Sequence, residues 1–170
     1  ARAATLYEDV LERPDDAIAT YHDLLDEQAD STDAFDGLER VLAKEERWVD
    51  LADVLRRRCE ATYSDSERIS ALERLAEIYA TQLQDRHEAV SVYREILTHD
   101  PNHQGALDAL EMIFEEDAQW HELTEILRNK LHVNTAQDGE ALDALQLKLA
   151  GVLRRELFEV DEALGLYRTV

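Results

Sequence analysis

The chain has 170 residues, of which 45% are hydrophobic and 34% charged, with only 5 Gly and 2 Pro. That much apolar material excludes intrinsic disorder. The scarcity of turn-formers excludes collagen-like or linker-like sequence and argues against an all-β fold, whose hairpins need them. Asp and Glu number 39 against 18 Lys plus Arg, a formal net charge of −21, which argues against binding nucleic acid or an anionic membrane through a general field. The single cysteine, Cys59, excludes an intrachain disulfide and a cysteine metal cluster. No run approaches the ~20 apolar residues of a membrane span, and no signal peptide is visible. The chain starts Ala-Arg-Ala-Ala without Met and reads as a fragment or processed product, which leaves localisation open between cytoplasm and periplasm.

The expected class is all-α. Apolar spacing and boundary residues predict ten helices, over about 1–12, 15–28, 32–44, 48–62, 66–83, 86–99, 103–116, 120–133, 138–157 and 161–170. Pro14 suits a first helical turn. Ala89, Val90, Tyr93, Ile96 and Leu97 form one face of the helix 86–99. Ala106, Leu107, Leu110, Ile113 and Phe114 do so in 103–116, and Trp120, Leu123, Ile126, Leu127 and Leu131 in 120–133. Ser64 and Glu67 suggest a capping box before 66–83. Pro101 separates two helices, with Asn102 as the expected cap of the next. Asp138-Gly139 opens the ninth helix. The short connections predict antiparallel hairpins.

The sequence repeats itself at an offset of 72. Ala17, Tyr21, Leu25, Ala34, Asp36, Leu38, Trp48, Leu51, Leu55 and Arg56 meet identical residues at 89, 93, 97, 106, 108, 110, 120, 123, 127 and 128. Near the C-terminus, Asp161, Glu162-Ala163-Leu164 and Tyr167 restate Asp85, Glu88-Ala89-Val90 and Tyr93 with small loop adjustments, at offsets close to 74. The matched positions are mainly apolar and at helical spacing, as a shared packing scheme requires. The whole of 1–170 therefore reads as one solenoid segment with a double-hairpin period of 72 residues, cut within helices at both ends.

These residues resemble the tetratricopeptide repeat family. Ala89-x3-Tyr93-x7-Pro101 is similar to the second helix and terminal proline of that motif. Leu107-x2-Leu110-x3-Phe114 resembles the face of its first helix, as do Leu72, Leu75, Ala76 and Tyr79 one hairpin earlier. The sequence departs from the motif at Ala29, where proline is expected, and at Leu51 and Leu123, where a small residue is usual. The resemblance implies a right-handed superhelix, of the kind found in long bacterial scaffold proteins, whose first helices line a concave groove that grips a peptide or partner helix. In that register the groove positions are Asp36, Arg40, Glu73, Glu77, Asp108, Met112, Glu115, Glu116 and Arg154.

Catalytic chemistry has little to stand on. His99-x3-His103 straddles a proline that breaks any shared helical face, so a solvated loop is the better reading than a zinc site. Cys59 follows Arg56-Arg57-Arg58 but has no matched base, and reads as a small core residue. Those arginines, like Arg154-Arg155, complement helix C-termini and neighbouring carboxylates. Trp48 and Trp120 share a repeat position and read as hairpin packing. No phosphate loop or hydrolase motif is present, so no enzyme activity, metal or cofactor is expected. The expected function is a non-catalytic scaffold that takes a protein or peptide segment, basic in character, in the groove. The competing readings are a solvated acidic face, as in saline habitats, a structural spacer or assembly scaffold joined through its ends, and a regulatory array attached to a catalytic domain.

Overall fold

A computed structural model describes residues 13–133 and 139–169; the helix expected over 1–12 and the residue Asp138 lie outside the described residues. The described residues form helices and no strand: α1 (Pro14–Glu27), α2 (Thr32–Lys44), α3 (Trp48–Ala61), α4 (Asp65–Glu77), α5 (Arg86–His99), α6 (Gln104–Glu116), α7 (Trp120–Val133), α8 (Gly139–Arg155) and α9 (Val160–Tyr167). A π-helical turn, Ile78–Gln82, continues α4. The chain divides into two compact units at His99 and Asp100.

In the first unit Pro14 occupies the first turn of α1, where its missing N–H is no loss. Ser64 caps α4 by accepting the Glu67 N–H at 3.4 Å. The reciprocal half of the expected capping box is absent, because the Glu67 carboxylate accepts from the Thr62 hydroxyl at 2.7 Å instead. The core stacks Tyr21 and Leu25 of α1, Leu38 and Leu42 of α2, Leu51 and Leu55 of α3, Leu72 and Leu75 of α4, and Ile96 of α5. The expected α5 face needs correction. Ala89, Val92 and Ile96 are its buried residues, while Val90, Tyr93 and Leu97 are half-buried. Tyr21 and Tyr93, matched in sequence, thus differ in burial.

The arginine run of α3 ties three other helices to it. Arg56 pairs with Glu95 of α5 at 2.5 Å. Arg57 donates to Asp26 and to the Leu25 carbonyl near the end of α1, each at 3.1 Å. Arg58 reaches Asp36 and Glu39 of α2 at 2.7 and 2.5 Å. Because Arg58 lies near the end of α3 and Asp36 near the start of α2, the two helices run antiparallel.

In the second unit all five residues expected on the α6 face are buried. Along α7, Leu123, Ile126 and Leu127 are buried, but Trp120 and Leu131 are half-buried. The cap of α6 is His103, whose Nδ1 accepts the Ala106 N–H at 3.1 Å, and not the expected Asn102, whose own N–H donates to Asp100 at 3.0 Å. Arg128 of α7 pairs with Glu162 of α9 at 2.8 Å.

The two units use the same turns. Glu46 and Ala118 both adopt a left-handed conformation, φ 55° and 54°, two residues before the tryptophan that opens the next helix. In each, the following N–H closes on a carbonyl five residues back: Arg47 on Leu42 at 2.9 Å, and Gln119 on Phe114 at 2.8 Å. This is the six-to-one bond of a Schellman cap. A second turn type has Gln84 and Phe158 left-handed, φ 54° and 59°, with Asp85 N–H bonded to Tyr79 and Glu159 N–H to Leu153, 2.8 and 2.9 Å. The helices follow suit: α2 and α6, and α3 and α7, begin and end 72 residues apart, whereas α4 and α8 begin 74 apart.

Candidate binding face

The face of interest in the first unit is the one α2 and α4 present together. Glu39 of α2 is 2% exposed. Burying a lone carboxylate is prohibitively unfavourable, so it must be paired and hydrogen-bonded. Arg58 from α3 takes one carboxylate oxygen and Arg74 from α4 the other. Asp36, one turn earlier, takes a second bond from Arg58. The cluster floors a cleft of about 190 Å³ lined also by Glu67 and Ser70.

The second unit repeats the cluster with lysines. Glu111 of α6 accepts from Lys130 of α7 and from Lys148 of α8, the latter at 2.6 Å. Lys130 also reaches Asp108, and Lys148 also reaches Glu115 at 2.6 Å. Glu39, Arg58 and Arg74 thus correspond to Glu111, Lys130 and Lys148 at offsets of 72, 72 and 74. Burial works to raise the Glu111 pKa, but hydrogen bonds and charge from Lys130 and Lys148 prevail and hold it below the ordinary carboxylate value. Burial works to lower both lysines, yet their carboxylate partners raise them above the ordinary lysine value. Each charge therefore stabilises the other in its ionised form. Glu111 and Lys148, with Asp108, Met112, Glu115 and Glu116, line a cleft of about 440 Å³. Met112 is 57% exposed there.

Of the nine residues placed in the groove from sequence, four therefore share this one cleft: Asp108, Met112, Glu115 and Glu116. Asp36 lines the matching cleft of the first unit. The others line neither cleft. Arg40 donates to the Tyr21 hydroxyl at 3.4 Å. Glu73 and Glu77 are exposed on α4, and their charge reaches Tyr93, whose phenol is raised by burial first and then by these two carboxylates. Arg154 lies 5.8 Å from the centre of the Tyr167 ring. Sequence reasoning missed Glu39, Arg74, Glu111, Lys130 and Lys148, and assigned Arg58 to a helix end and to neighbouring carboxylates without naming them. The available signal was a carboxylate at 39 and 111 and a cation at 58 and 130, recurring at the repeat offset beside apolar positions.

The residues considered for chemistry have defined surroundings in the fold. Cys59 is buried, and its thiol is raised to about 11 by burial, against the lowering charge of Arg56. His103 caps α6, and the His99 imidazole lies 3.7 Å from Asp65. Trp48 and Trp120 are both half-buried. Among the described residues no helix is long and apolar enough to cross a membrane.

Residues 71–105, from the middle of α4 through the π-helical turn, α5 and Pro101 to the first residues of α6, match the tetratricopeptide repeat family. No curated protein sequence matches the chain. Solved structures of the same fold include MamA, at 12% identity over 97% of this chain and 88% of that one, TM-score 0.54. PilF of Pseudomonas aeruginosa has 14% identity over 97% and 70%, TM-score 0.53. YrrB, described as a tetratricopeptide-repeat protein with an unusual peptide-binding site, has 15% identity over 96% and 82%, TM-score 0.52. The described residues form an all-helical repeat with the tetratricopeptide-repeat fold.

Proposed function

We propose that this chain is a non-catalytic scaffold that binds a basic peptide or protein segment on the faces presented by α2 with α4 and by α6 with α8. The observation that carries the reading is the cleft around Met112. An exposed thioether supplies an adaptable apolar contact among Asp108, Glu115 and Glu116, which suits the methylene stem and cationic head of a Lys or Arg side chain. The peptide-binding site described for YrrB, on the same fold, supports it. The internal pairing also refines it. Asp36, Asp108 and Glu115 already hold cations of this chain, so the face attracts through the surplus of negative charge and not through bare carboxylates.

The test is fluorescence anisotropy of a labelled lysine-rich peptide against a glutamate-rich peptide of equal length. The lysine-rich probe binds, and its affinity falls between about 0.1 M and 1 M salt, as the Debye length shrinks from ~10 Å to ~3 Å. Equal binding of both probes, or binding indifferent to salt, contradicts the reading. A spacer role is favoured by one specific observation: the Glu39 and Glu111 clusters each lock three helices together, as a rigid strut requires.

A further inference from the structure

A second concavity adjoins the Glu39 cleft, sharing Arg58 and Glu67 with it, where the end of α3 meets the starts of α2 and α4. It has a volume of about 240 Å³ and is lined by Phe35, Ala61 and Tyr63 with Arg58, and by Asp30 and Glu67. Drug-sized ligands occupy pockets of roughly 300–1,000 Å³, so this one has room for a single large side chain. Tyr63 is 96% exposed and stands in the connection between α3 and α4. A fully exposed aromatic ring beside a pocket gains nothing from the fold that displays it.

We propose that this pocket takes an aromatic side chain of a partner segment whose neighbouring residues are Lys or Arg. Three observations select that occupant. Arg58 is fixed by Asp36 and Glu39 and lies 5.9 Å from the centre of the Phe35 ring. A guanidinium held in place presents a face for stacking a ring but repels a cation that enters the pocket itself. Tyr63 offers an aromatic guest edge and face contacts, while Phe35, 3% exposed, adds only a small apolar patch. Asp30 and Glu67 line the pocket, so residues flanking the guest meet negative charge. A second copy of this chain, at −21, brings the wrong charge. The inference rests on the reading of this chain as a binder of basic segments, and adds the anchor that such a segment carries.

The experiment is an amide NMR titration of the whole labelled chain with three capped tripeptides: Lys-Phe-Lys, Glu-Phe-Glu and Lys-Ala-Lys. Lys-Phe-Lys shifts the amides of Phe35, Thr62, Tyr63 and Ser64 saturably. Glu-Phe-Glu and Lys-Ala-Lys each bind roughly tenfold more weakly, the difference expected for one lost aromatic or charge contact. Tyr63→Ala weakens Lys-Phe-Lys by a similar factor with an unchanged helical spectrum, and Ala61→Trp, which fills the pocket, does the same. Equal binding of Lys-Ala-Lys overturns the aromatic anchor, and equal binding of Glu-Phe-Glu overturns the charged flanks. Shifts confined to the Met112 cleft, or no shift at any concentration reached, overturn the pocket. Lysine-rich peptide binding in the anisotropy test reports separately on the broader function, so the two failures are distinguishable.

Discussion

The ring of Tyr21 lies on the backbone of Gly37. A Cβ at Gly37 would stand 2.2, 2.4 and 2.7 Å from three ring carbons, far inside contact distance. Glycine in a helix interior is unfavourable by about 1 kcal/mol relative to alanine. Here it admits an aromatic ring that is 2% exposed, and the burial outweighs the propensity.

A double-mutant cycle exposes this relationship. Tyr21→Ala destabilises by roughly 3–5 kcal/mol, as for other large buried aromatics. Gly37→Ala alone destabilises by about 1–3 kcal/mol through overpacking. Introduced after Tyr21→Ala, the same Gly37→Ala is neutral or stabilising, because only helix propensity then remains. Denaturant melts of the four proteins measure the coupling, and additive effects contradict the contact.

The Glu39 cluster predicts unequal effects of its two cations. Arg58→Ala leaves a buried carboxylate with Arg74, whose side chain is 51% exposed, and removes the partner of Asp36 as well. Loss of one member of a buried pair destabilises by up to about 3–5 kcal/mol. Arg74→Ala leaves the better-buried Arg58 bond intact and destabilises by about 1 kcal/mol. Equal losses in thermal melts would mean that Glu39 is not held chiefly by Arg58.

The Glu111 cluster makes stability depend on pH at both extremes. The folded Glu111 pKa lies below the ordinary 4.5, so its contribution is present above 4.5 and disappears as pH falls through the folded value. Lys130 and Lys148 are raised above the ordinary 10.5. Their contribution is present below 10.5 and is lost as pH rises through the folded values. Urea midpoints measured against pH check the acid limb, which Glu111→Gln flattens. An acid limb unchanged by that substitution contradicts the pairing.

Cys59 is raised to about 11 by burial, so little thiolate forms near pH 8. A thiol reagent then reacts only as the first unit opens, and its rate follows urea unfolding. Rapid reaction in the absence of urea would place the thiol at the surface.

Much of the helical layout was legible in the sequence, because apolar spacing, Pro14 and Pro101 mark helix bodies and starts. Trp48 and Trp120 were matched to each other, and both are half-buried at helix starts. The left-handed turns were not legible: Glu46, Gln84, Ala118 and Phe158 occupy them, where glycine would have been the usual signal. The α5 face was misread because Tyr93 is larger and more apolar than its half-buried position requires, while the buried Val92 falls between the chosen positions. The ion clusters were hidden by composition. Among 39 acidic residues, nothing local marks Glu39 as buried, since its partners come from α3 and α4 and only tertiary structure brings them together.

In the proposed function, negative charge on the α2, α4, α6 and α8 faces, and not charge in general, recruits a basic partner. Glu73 and Glu77 are exposed on α4 and Glu116 on α6, and Asp23, Asp53 and Glu125 are exposed on α1, α3 and α7. Converting either trio to lysine changes net charge equally. The decisive measurement is the dissociation constant of the lysine-rich peptide for both triple variants in one buffer. The loss expected for Glu73, Glu77 and Glu116 is roughly tenfold or greater, corresponding to about 1.4 kcal/mol, and that for Asp23, Asp53 and Glu125 is several-fold smaller. Equal losses, or a larger loss from the second trio, would contradict the proposed function.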